Sequence, residues 1–246
     1  MTRERADRLL VARGLVESRA RAQAEIAAGH VTSGGRVIAK PSEMLDADTD
    51  LVLSAEALAY VSRGALKLIQ ALDHFGLSPE RRIALDLGAS TGGFSEVLLE
   101  RGAKRVYAVD VGHGQLHPRL KADPRVVSLE GTDARALKAM HIPEAPGFIT
   151  ADLSFIGLEK ALPAALALAA PGAVLVALVK PQFEVGPEGV GKGGIVRDRA
   201  LRDAALRRVT RWLSGQPGWH DLGVTESPIT GGDGNVEFLS AAQRQD

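Results

Sequence analysis

A glycine-rich run follows a short apolar segment and reads Asp86-Leu87-Gly88-Ala89-Ser90-Thr91-Gly92-Gly93-Phe94. Residues 83–87, which include the first two residues of this run, have the pattern of a buried strand. A helix is predicted from about Gly93. Glycines between a strand and a helix let the main chain approach a ligand closely at the carboxyl edge of a sheet. The run therefore predicts a nucleotide-type pocket.

Strand and helix patterns alternate through the rest of the chain. Strands are predicted at residues 83–87, 106–109, 126–129, 148–151, 173–179, 222–225 and 236–239, and later helices at 158–169 and 198–213. Such alternation is typical of a mostly parallel sheet with helices on both faces. The predicted fold class is therefore α/β, of the Rossmann-like kind.

The N-terminal segment predicts a small α+β module of two short helices, a hairpin and a further strand. The residues that mark these elements are Gly14, Ser18 as a helix N-cap, Gly29, Val31, the turn Ser33-Gly34-Gly35, Val37-Ile38 and Leu51-Val52-Leu53. A linker is expected at residues 54–62. The predicted domains are therefore residues 1–58 and 59–246.

Composition narrows the class of protein. The 246 residues are 45% apolar, enough for a sizeable core, and the chain contains no cysteine, which excludes disulfides and thiolate metal sites and favours the cytoplasm. The first 13 residues lack the apolar core of a signal peptide. The formal net charge is zero, but residues 1–40 hold eight Lys or Arg against four Asp or Glu. This local excess fits contact with phosphates.

One uncharged stretch, residues 161–179, is about as long as a membrane span. Pro171-Gly172 divides it into an alanine-rich half that suits a helix and a valine-rich half that suits a buried parallel strand. We therefore expect a buried helix-turn-strand and no membrane partner.

Two further acids lie where a nucleotide would contact this kind of sheet. Asp110 ends the second strand, 24 positions after Asp86, and is placed to accept hydrogen bonds from a ribose diol. Asp133 follows the third strand and could face an adenine amino group. The run lacks the G-x-G-x-x-G of nicotinamide-dependent dehydrogenases, whereas an acid two residues before the first glycine is typical of S-adenosylmethionine enzymes.

Four charged residues are candidates for catalysis: Lys67, Asp152, Lys180 and Glu237. Asp152 and Lys180 come directly after apolar strands that should be neighbours in the sheet, at the edge where α/β folds place their chemistry. Taken singly, each could be a solvated cap at the end of a strand.

Together these four residues resemble the Lys-Asp-Lys-Glu tetrad of the FtsJ-like ribose 2′-O-methyltransferases, in the same order. The whole chain is similar to the TlyA family of ribosomal RNA methyltransferases, historically labelled haemolysins. The motifs that carry this resemblance are Ser62-Arg63-Gly64, residues 88–94, Gly114-Gln115-Leu116, Ala151-Asp152-Leu153-Ser154-Phe155-Ile156, Lys180-Pro181-Gln182-Phe183-Glu184 and Gly234-Asn235-Val236-Glu237.

The N-terminal segment resembles the small RNA-binding module of a ribosomal small-subunit protein and of pseudouridine synthases. The matching residues are Ser18-Arg19, Ala22, Ile26, Gly29 and Val31. Ser33-Gly34-Gly35 stands where that module often has valine, asparagine and glycine, a departure at one turn that leaves the candidate site untouched.

The resemblance implies a Rossmann-like methyltransferase with S-adenosylmethionine as cofactor and the ribose of a cytidine in ribosomal RNA, or in assembled ribosomal subunits, as substrate. It implies cofactor contacts from Asp86, Gly88, Ser90, Thr91, Gly92, Gly93, Phe94, Asp110, Val111, Asp133, Ala134 and Asp152. RNA contacts are expected from Arg5, Arg8, Arg19, Arg21 and Arg63, with residues 186–194 as a loop that closes over the RNA. A monomer is the default.

The chemistry requires a ribose oxygen held in line behind the methyl group, together with handling of the hydroxyl proton. We hypothesise that Lys180 hydrogen-bonds the 2′-oxygen and either accepts its proton or stabilises the developing alkoxide, while Asp152 and Glu237 orient Lys180. No cluster of metal ligands is evident in the sequence, and Trp212 and Trp219 are expected in the core.

Three other readings stay open. A membrane-active haemolysin needs a span or a strongly amphipathic basic helix. A non-catalytic RNA-binding assembly factor would keep the fold without the chemistry. A nicotinamide dehydrogenase would be distinguished by the small molecule that co-purifies with the protein.

Overall fold

The structure is a computed structural model that describes residues 3–16, 19–27, 29–54 and 60–245. It divides into two compact units, residues 1–63 and 64–246. The predicted N-cap Ser18 and the predicted domain boundary between residues 58 and 59 lie outside the described residues.

In the part of the N-terminal unit that the structure describes, there are two helices and five short strands. They are β1 (Arg3–Arg5), α1 (Ala6–Ala12), α2 (Arg19–Ala27), β2 (Val31–Ser33), β3 (Arg36–Val37), β4 (Met44–Asp46) and β5 (Val52–Leu53). Strand β2 pairs with both β3 and β5, which confirms the predicted hairpin and third strand. The antiparallel pair β1–β4 was not predicted, because three-residue strands have too little alternation to detect.

A buried carboxylate organises this unit. Asp7, on α1, is fully buried and accepts hydrogen bonds from Arg5 at 2.9 Å and from Arg19 and Gln23 at 3.0 Å each. The bond from Arg5 contributes most to holding the pKa of Asp7 well below its usual 3.8. Asp7 thus joins the two helices through hydrogen bonds that require its ionised form.

The second unit has seven strands and seven helices among the residues described. The strands are β6 (Ile83–Leu87), β7 (Arg105–Asp110), β8 (Val126–Glu130), β9 (Phe148–Ala151), β10 (Val174–Val179), β11 (Trp219–Glu226) and β12 (Phe238–Arg244). The helices are α3 (Gly64–Phe75), α4 (Gly93–Glu100), α5 (Pro118–Lys121), α6 (Leu158–Ala161), α7 (Pro163–Leu168), α8 (Pro181–Glu184) and α9 (Arg199–Ser214).

These seven strands form one sheet in the order β11-β12-β10-β9-β6-β7-β8. The five strands from β10 to β8 are parallel, while β12 and β11 are antiparallel additions at one edge. The chain runs outward from β6 to β8, then returns to place β9 on the other side of β6. Such a reversal opens a crevice at the carboxyl ends of the two central strands. The predicted mostly parallel sheet is confirmed.

Two elements differ from their predicted form. The helix predicted at 158–169 is interrupted between α6 and α7, because Pro163 has no N–H to continue the first helix but fits the first turn of the second. The last strand begins at Phe238 rather than at residue 236, so Glu237 precedes the strand.

Helix α9 begins after Asp198, whose side chain accepts a hydrogen bond from the Ala200 N–H at 2.8 Å.

The uncharged stretch 161–179 is buried inside this unit. It contains α7, a turn at Pro171-Gly172 and the fully buried strand β10. Trp219 is buried in the same core and Trp212 packs against it, as expected. No helix in the described ranges combines the length and the apolar character needed to cross a bilayer.

The contacts of Asp7 predict that Asp7→Asn destabilises the N-terminal unit by about 2 kcal/mol at neutral pH, because charge-assisted hydrogen bonds are lost while the arginines regain water. The wild-type contribution should be complete above pH 3.8 and decline as the pH falls below it, since the folded-state pKa is depressed. Hydrogen exchange of α1 and α2 amides measures the change. Glu4→Gln is the matched control, because the partly exposed Glu4 makes a 3.6 Å ion pair with Arg8 and accepts a hydrogen bond from the Arg5 main-chain N–H that a glutamine oxygen can also accept. An equal loss in the control would contradict the assignment.

Candidate active site

A cavity of about 920 Å³ lies along the carboxyl ends of the parallel strands. Its walls come from the residues that follow β6, β7, β8, β9 and β10, including Gly88, Asp110, Asp133, Asp152 and Gln182. The volume is at the upper end of that of small-molecule sites. The cavity can therefore hold more than one chemical group along the sheet edge.

Gly88 determines how closely the glycine-rich run approaches the neighbouring strand. Its φ is 79°, and a Cβ added there would lie 2.5 Å from the main-chain oxygen of Asp152. A side chain at this position would push β6 and β9 apart at the point where the crevice opens. Glycine at position 88 is thus required by both its conformation and its neighbour.

Seven of the predicted cofactor residues line the cavity: Gly88, Ser90, Asp110, Val111, Asp133, Ala134 and Asp152. The Asp110 carboxylate accepts hydrogen bonds from the main-chain N–H groups of Ser90 and Gly112, both at 2.8 Å. These bonds fix the carboxylate beside the turn and leave lone pairs for a ligand hydroxyl.

Asp133, the other acid of the predicted adenosine site, binds a side chain rather than main-chain N–H groups alone. Both oxygens of Asp133 accept hydrogen bonds from the Arg135 guanidinium, which is the main reason that the pKa of Asp133 is lowered. Asp133 is thus held as a carboxylate at the cavity wall, with its neighbour Ala134 also lining the cavity.

Five predicted cofactor residues, Asp86, Thr91, Gly92, Gly93 and Phe94, do not line the cavity. Gly92 is the N-cap of α4, and Gly93 and the buried Phe94 are the first two residues of that helix. Residues 91–94 therefore belong to the turn and to the start of the helix that follows it.

Asp86 lies completely buried beneath the turn. It accepts hydrogen bonds from Ser95 Oγ at 2.7 Å and Thr150 Oγ1 at 2.9 Å. Burial raises the pKa of Asp86 to about 6, against the effect of these hydrogen bonds. Its contacts join β6, α4 and β9, so the structure assigns it a supporting position rather than a place in the cavity wall.

Asp152 and Lys180 meet at the ends of adjacent parallel strands, as the sequence predicts. Lys180 Nζ lies 2.6 Å from Asp152 Oδ1 and donates a hydrogen bond to Ser154 Oγ at 2.9 Å. Both charged side chains are largely buried. Asp152 Oδ1 is itself shielded from solvent, so the Lys180 ammonium is its partner among the described residues.

Lys67 and Glu237 form a second buried ion pair, with Lys67 Nζ 2.6 Å from Glu237 Oε2. This differs from the hypothesis that Glu237 orients Lys180. The register pairs Phe238 with Val179, which brings Glu237 to the same edge as Lys180, but the carboxylate binds the lysine of α3. The four predicted catalytic residues therefore form two separate lysine–carboxylate pairs.

Several residues of the cavity wall were not predicted. Gln115 accepts a hydrogen bond from Ser90 Oγ at 3.2 Å, while Lys160 and Gln182 are further polar groups of the wall. Phe155 is 91% exposed, has a φ of 66° and packs its ring 5.1 Å from that of Phe183. The feature that distinguishes Phe155 is a positive φ at a residue other than glycine, and a backbone angle cannot be read from the sequence.

The Glu184 carboxylate connects the segment that follows β9 with the segment that follows β10. Its carboxylate accepts hydrogen bonds from the Leu158 N–H at 2.8 Å and from Arg208 at 2.6 Å, and burial raises its pKa. Because Leu158 begins α6 and Glu184 ends α8, this carboxylate fixes the segment after Asp152 relative to the segment after Lys180.

Three of the arginines predicted to bind RNA have partners within the N-terminal unit. Arg5 and Arg19 bind Asp7, and Arg21 forms an ion pair with Glu25 at 2.7 Å. Arg21 also donates to the main-chain oxygens of residues 60 and 61 and is only 15% exposed. Its guanidinium serves the module's own packing.

The other two arginines are less constrained. Arg8 is 58% exposed and lies 3.6 Å from Glu4, while Arg63 is half-buried. Arg8 is therefore the most accessible guanidinium of these five for a phosphate.

Comparison with known proteins agrees with this geometry. The profile of FtsJ-like methyltransferases matches residues 60–244. The 16S/23S rRNA (cytidine-2′-O)-methyltransferase TlyA of Mycobacterium tuberculosis is 48% identical over 238 residues, which cover 96% of this chain and 88% of that protein. The chain belongs to the TlyA family of FtsJ-like methyltransferases. The S4 domain profile matches residues 4–51, in the N-terminal unit.

Two further relatives carry the haemolysin name. Hemolysin A of Brachyspira hyodysenteriae is 42% identical and aligns over 96% of this chain and 98% of its own. A solved structure described as a hemolysin from Streptococcus thermophilus has a TM-score of 0.79 and 44% identity, and covers all of this chain and 90% of that one. Relatives named as rRNA methyltransferases and relatives named as haemolysins thus both align over nearly the whole of this chain.

Methyltransferases of this family use S-adenosylmethionine, and the cavity fits that cofactor. Gly88 provides close main-chain approach, Asp110 has acceptor capacity for a ribose diol, and the exposed Val111 offers an apolar surface beside Ala134.

The second ion pair predicts a difference between two adjacent glycines. A Cβ on Gly231 would lie 2.5 Å from Glu237 Oε1, whereas one on Gly232 would meet nothing within 4 Å. We expect Gly231→Ala to lower kcat by about 10- to 100-fold by displacing the carboxylate that binds Lys67. Methyl transfer under saturating cofactor measures the effect, with Gly232→Ala as the matched control. Equal activities of the two variants would contradict a role for the position of Glu237.

Proposed function

We propose that this protein transfers the methyl group of S-adenosylmethionine to a ribose 2′-hydroxyl of ribosomal RNA, with cytidine as the target nucleoside. The observation that carries the proposal is the buried Lys180–Asp152 ion pair, 2.6 Å apart, whose aspartate lines a cavity that fits the cofactor. The name of the Mycobacterium tuberculosis relative supports both the ribose position and the base.

Bound S-adenosylmethionine supplies a methyl group that is already activated by its positive sulfonium. The residues proposed to hold it are those of the cavity wall at the ends of β6, β7 and β8: Gly88, Ser90, Asp110, Val111, Asp133 and Ala134. Asp86 and residues 91–94 act indirectly in this proposal, by shaping the turn.

Lys180 positions the ribose oxygen and handles its proton in this proposal. An ammonium group has three N–H donors. Ser154 Oγ takes one and the Asp152 carboxylate lies against the group, so a donor remains for the 2′-oxygen of a bound ribose. As an ammonium, Lys180 stabilises the alkoxide that develops as the hydroxyl proton leaves to water, whereas as a neutral amine it accepts that proton itself. Asp152 holds the lysine in place in either form.

Lys67 and Glu237 have a positioning role. Both are buried and bind each other, so neither charge is left uncompensated. The Glu237 pair joins helix α3 to the start of β12, which pairs with β10 up to Phe238 and Val179. The pair thereby fixes the position of the strand that lies next to the one preceding Lys180.

RNA is held in this proposal by the S4-type module and by the rim of the cavity. The S4 match supports a role in RNA binding, and ribosomal subunits in the cytoplasm are the proposed partner of a monomer. Residues 186–194 supply Gly186, Pro187 and Val190 to the cavity wall, and Asn235 anchors the loop through the Gly194 oxygen at 2.9 Å. This segment is the proposed cover over the bound RNA.

The proposal predicts that Lys180→Ala reduces methyl transfer at least about 100-fold while cofactor binding persists, because proton handling is lost. Labelled S-adenosylmethionine is incubated with ribosomal subunits from cells that lack this protein, and the modified ribose is mapped. Lys104→Ala is the matched control, since Lys104 is 65% exposed and precedes β7 at the opposite edge of the sheet.

Label on a ribose 2′-oxygen that Lys180→Ala abolishes and Lys104→Ala retains would support the assignment. Absence of label from both subunits and from free RNA, with cofactor bound, would overturn it in favour of a non-catalytic RNA-binding role.

A further inference from the structure

One buried polar atom of the cavity has no role in the mechanism above. Gln182 Oε1 is shielded from solvent and accepts no hydrogen bond from any described residue, although the side chain lines the cavity. A buried carbonyl without a donor costs free energy, and native proteins rarely leave one unsatisfied. A donor from a ligand at this position would remove that cost.

The sheet order separates this atom from the cofactor end of the cavity. Asp110 and Asp133 follow β7 and β8, on one side of the central strands, whereas Gln182 follows β10 on the other side. Asp152, after β9, lies between them. Gln182 also lies only two residues after Lys180, the proposed ligand of the ribose oxygen. The donor expected at Gln182 therefore belongs to the nucleoside that carries this ribose.

The neighbouring wall offers few alternatives for recognising a polar group. Phe155, Phe183, Pro187 and Val190 are apolar, and Ser154 already accepts the hydrogen bond from Lys180. Lys160 can only donate hydrogen bonds, and the Asp152 carboxylate lies against the Lys180 ammonium. Among the described residues, Gln182 is thus the one that contributes a side-chain amide to the wall at this end of the cavity. A planar base entering here would have its polar edge read by this side chain.

We infer that Gln182 selects the base of the target nucleoside by accepting a hydrogen bond from the exocyclic amine of cytosine. Cytosine presents an N4 amine where uracil presents the O4 acceptor, and single-stranded RNA is commonly read on this edge. A uracil would place a carbonyl against Oε1 and leave the buried acceptor unsatisfied. This inference rests on the proposed function and adds the residue that determines its base specificity.

The test compares RNA with cytidine or uridine at the mapped position, in the form that the wild type methylates. The wild-type protein should prefer cytidine by at least about 10-fold in kcat/KM, and Gln182→Met should remove most of that preference by slowing the reaction on cytidine. Gln182→Glu retains an acceptor but no amide donor, and should keep the preference for cytidine.

Gln115→Met is the matched control, because Gln115 is an amide at the cofactor end of the same cavity. It should raise KM for S-adenosylmethionine without changing the ratio between the two RNAs. If Gln182→Met instead raises that KM and keeps the ratio, Gln182 belongs to the cofactor site and the inference is wrong. Loss of the preference in Gln182→Glu would also overturn it.

The two proposals fail differently. A wild-type protein that methylates no ribose defeats the proposed function, and the base selection falls with it. A wild-type protein that methylates the ribose but treats both RNAs alike defeats only the inference about Gln182.

Discussion

The main-chain oxygen of Asp152 occupies the space that a side chain at position 88 would need, 2.5 Å from where its Cβ would lie. Parallel pairing of β6 with β9 imposes this approach, and only glycine satisfies it at a φ of 79°. One contact thereby joins the turn that is proposed to hold the cofactor to the residue that carries the central carboxylate. The Asp86 side chain supports the same junction from below, through Ser95 and Thr150.

Two buried ion pairs complete this edge of the sheet. A lysine in the interior is unfavourable unless a carboxylate and hydrogen bonds compensate it, and Lys180 has both in Asp152 and Ser154. Lys67 is compensated by Glu237 alone among its described neighbours. Sheet register, rather than proximity in sequence, brings these groups together, since Lys67 and Glu237 are 170 positions apart. The arrangement pre-positions Lys180 against Asp152 and Ser154, which line the cavity, before any substrate arrives.

Much of the fold could be predicted because its strands are apolar and end in charged or glycine residues. Strand β9 and the start of α4 match their predicted positions, and Asp152 and Lys180 meet as expected. The partners of side chains could not be predicted. Nothing in the sequence distinguishes Glu237 bound to Lys67 from Glu237 bound to Lys180, or shows that Arg21 forms an ion pair with Glu25. Likewise, the exposed Phe155 and the unsatisfied Gln182 depend on backbone angles and burial that only the folded chain defines.

The most direct measurement replaces a single nucleotide of the RNA substrate. The ribose at the mapped position is exchanged for its 2′-deoxy counterpart, and both binding and transfer of labelled methyl are followed. If Lys180 acts on a 2′-oxygen, the deoxy RNA should bind within a few-fold of the normal RNA and accept no methyl group. Methyl transfer to the deoxy nucleotide would contradict the account, because the acceptor atom would then be elsewhere on the nucleotide.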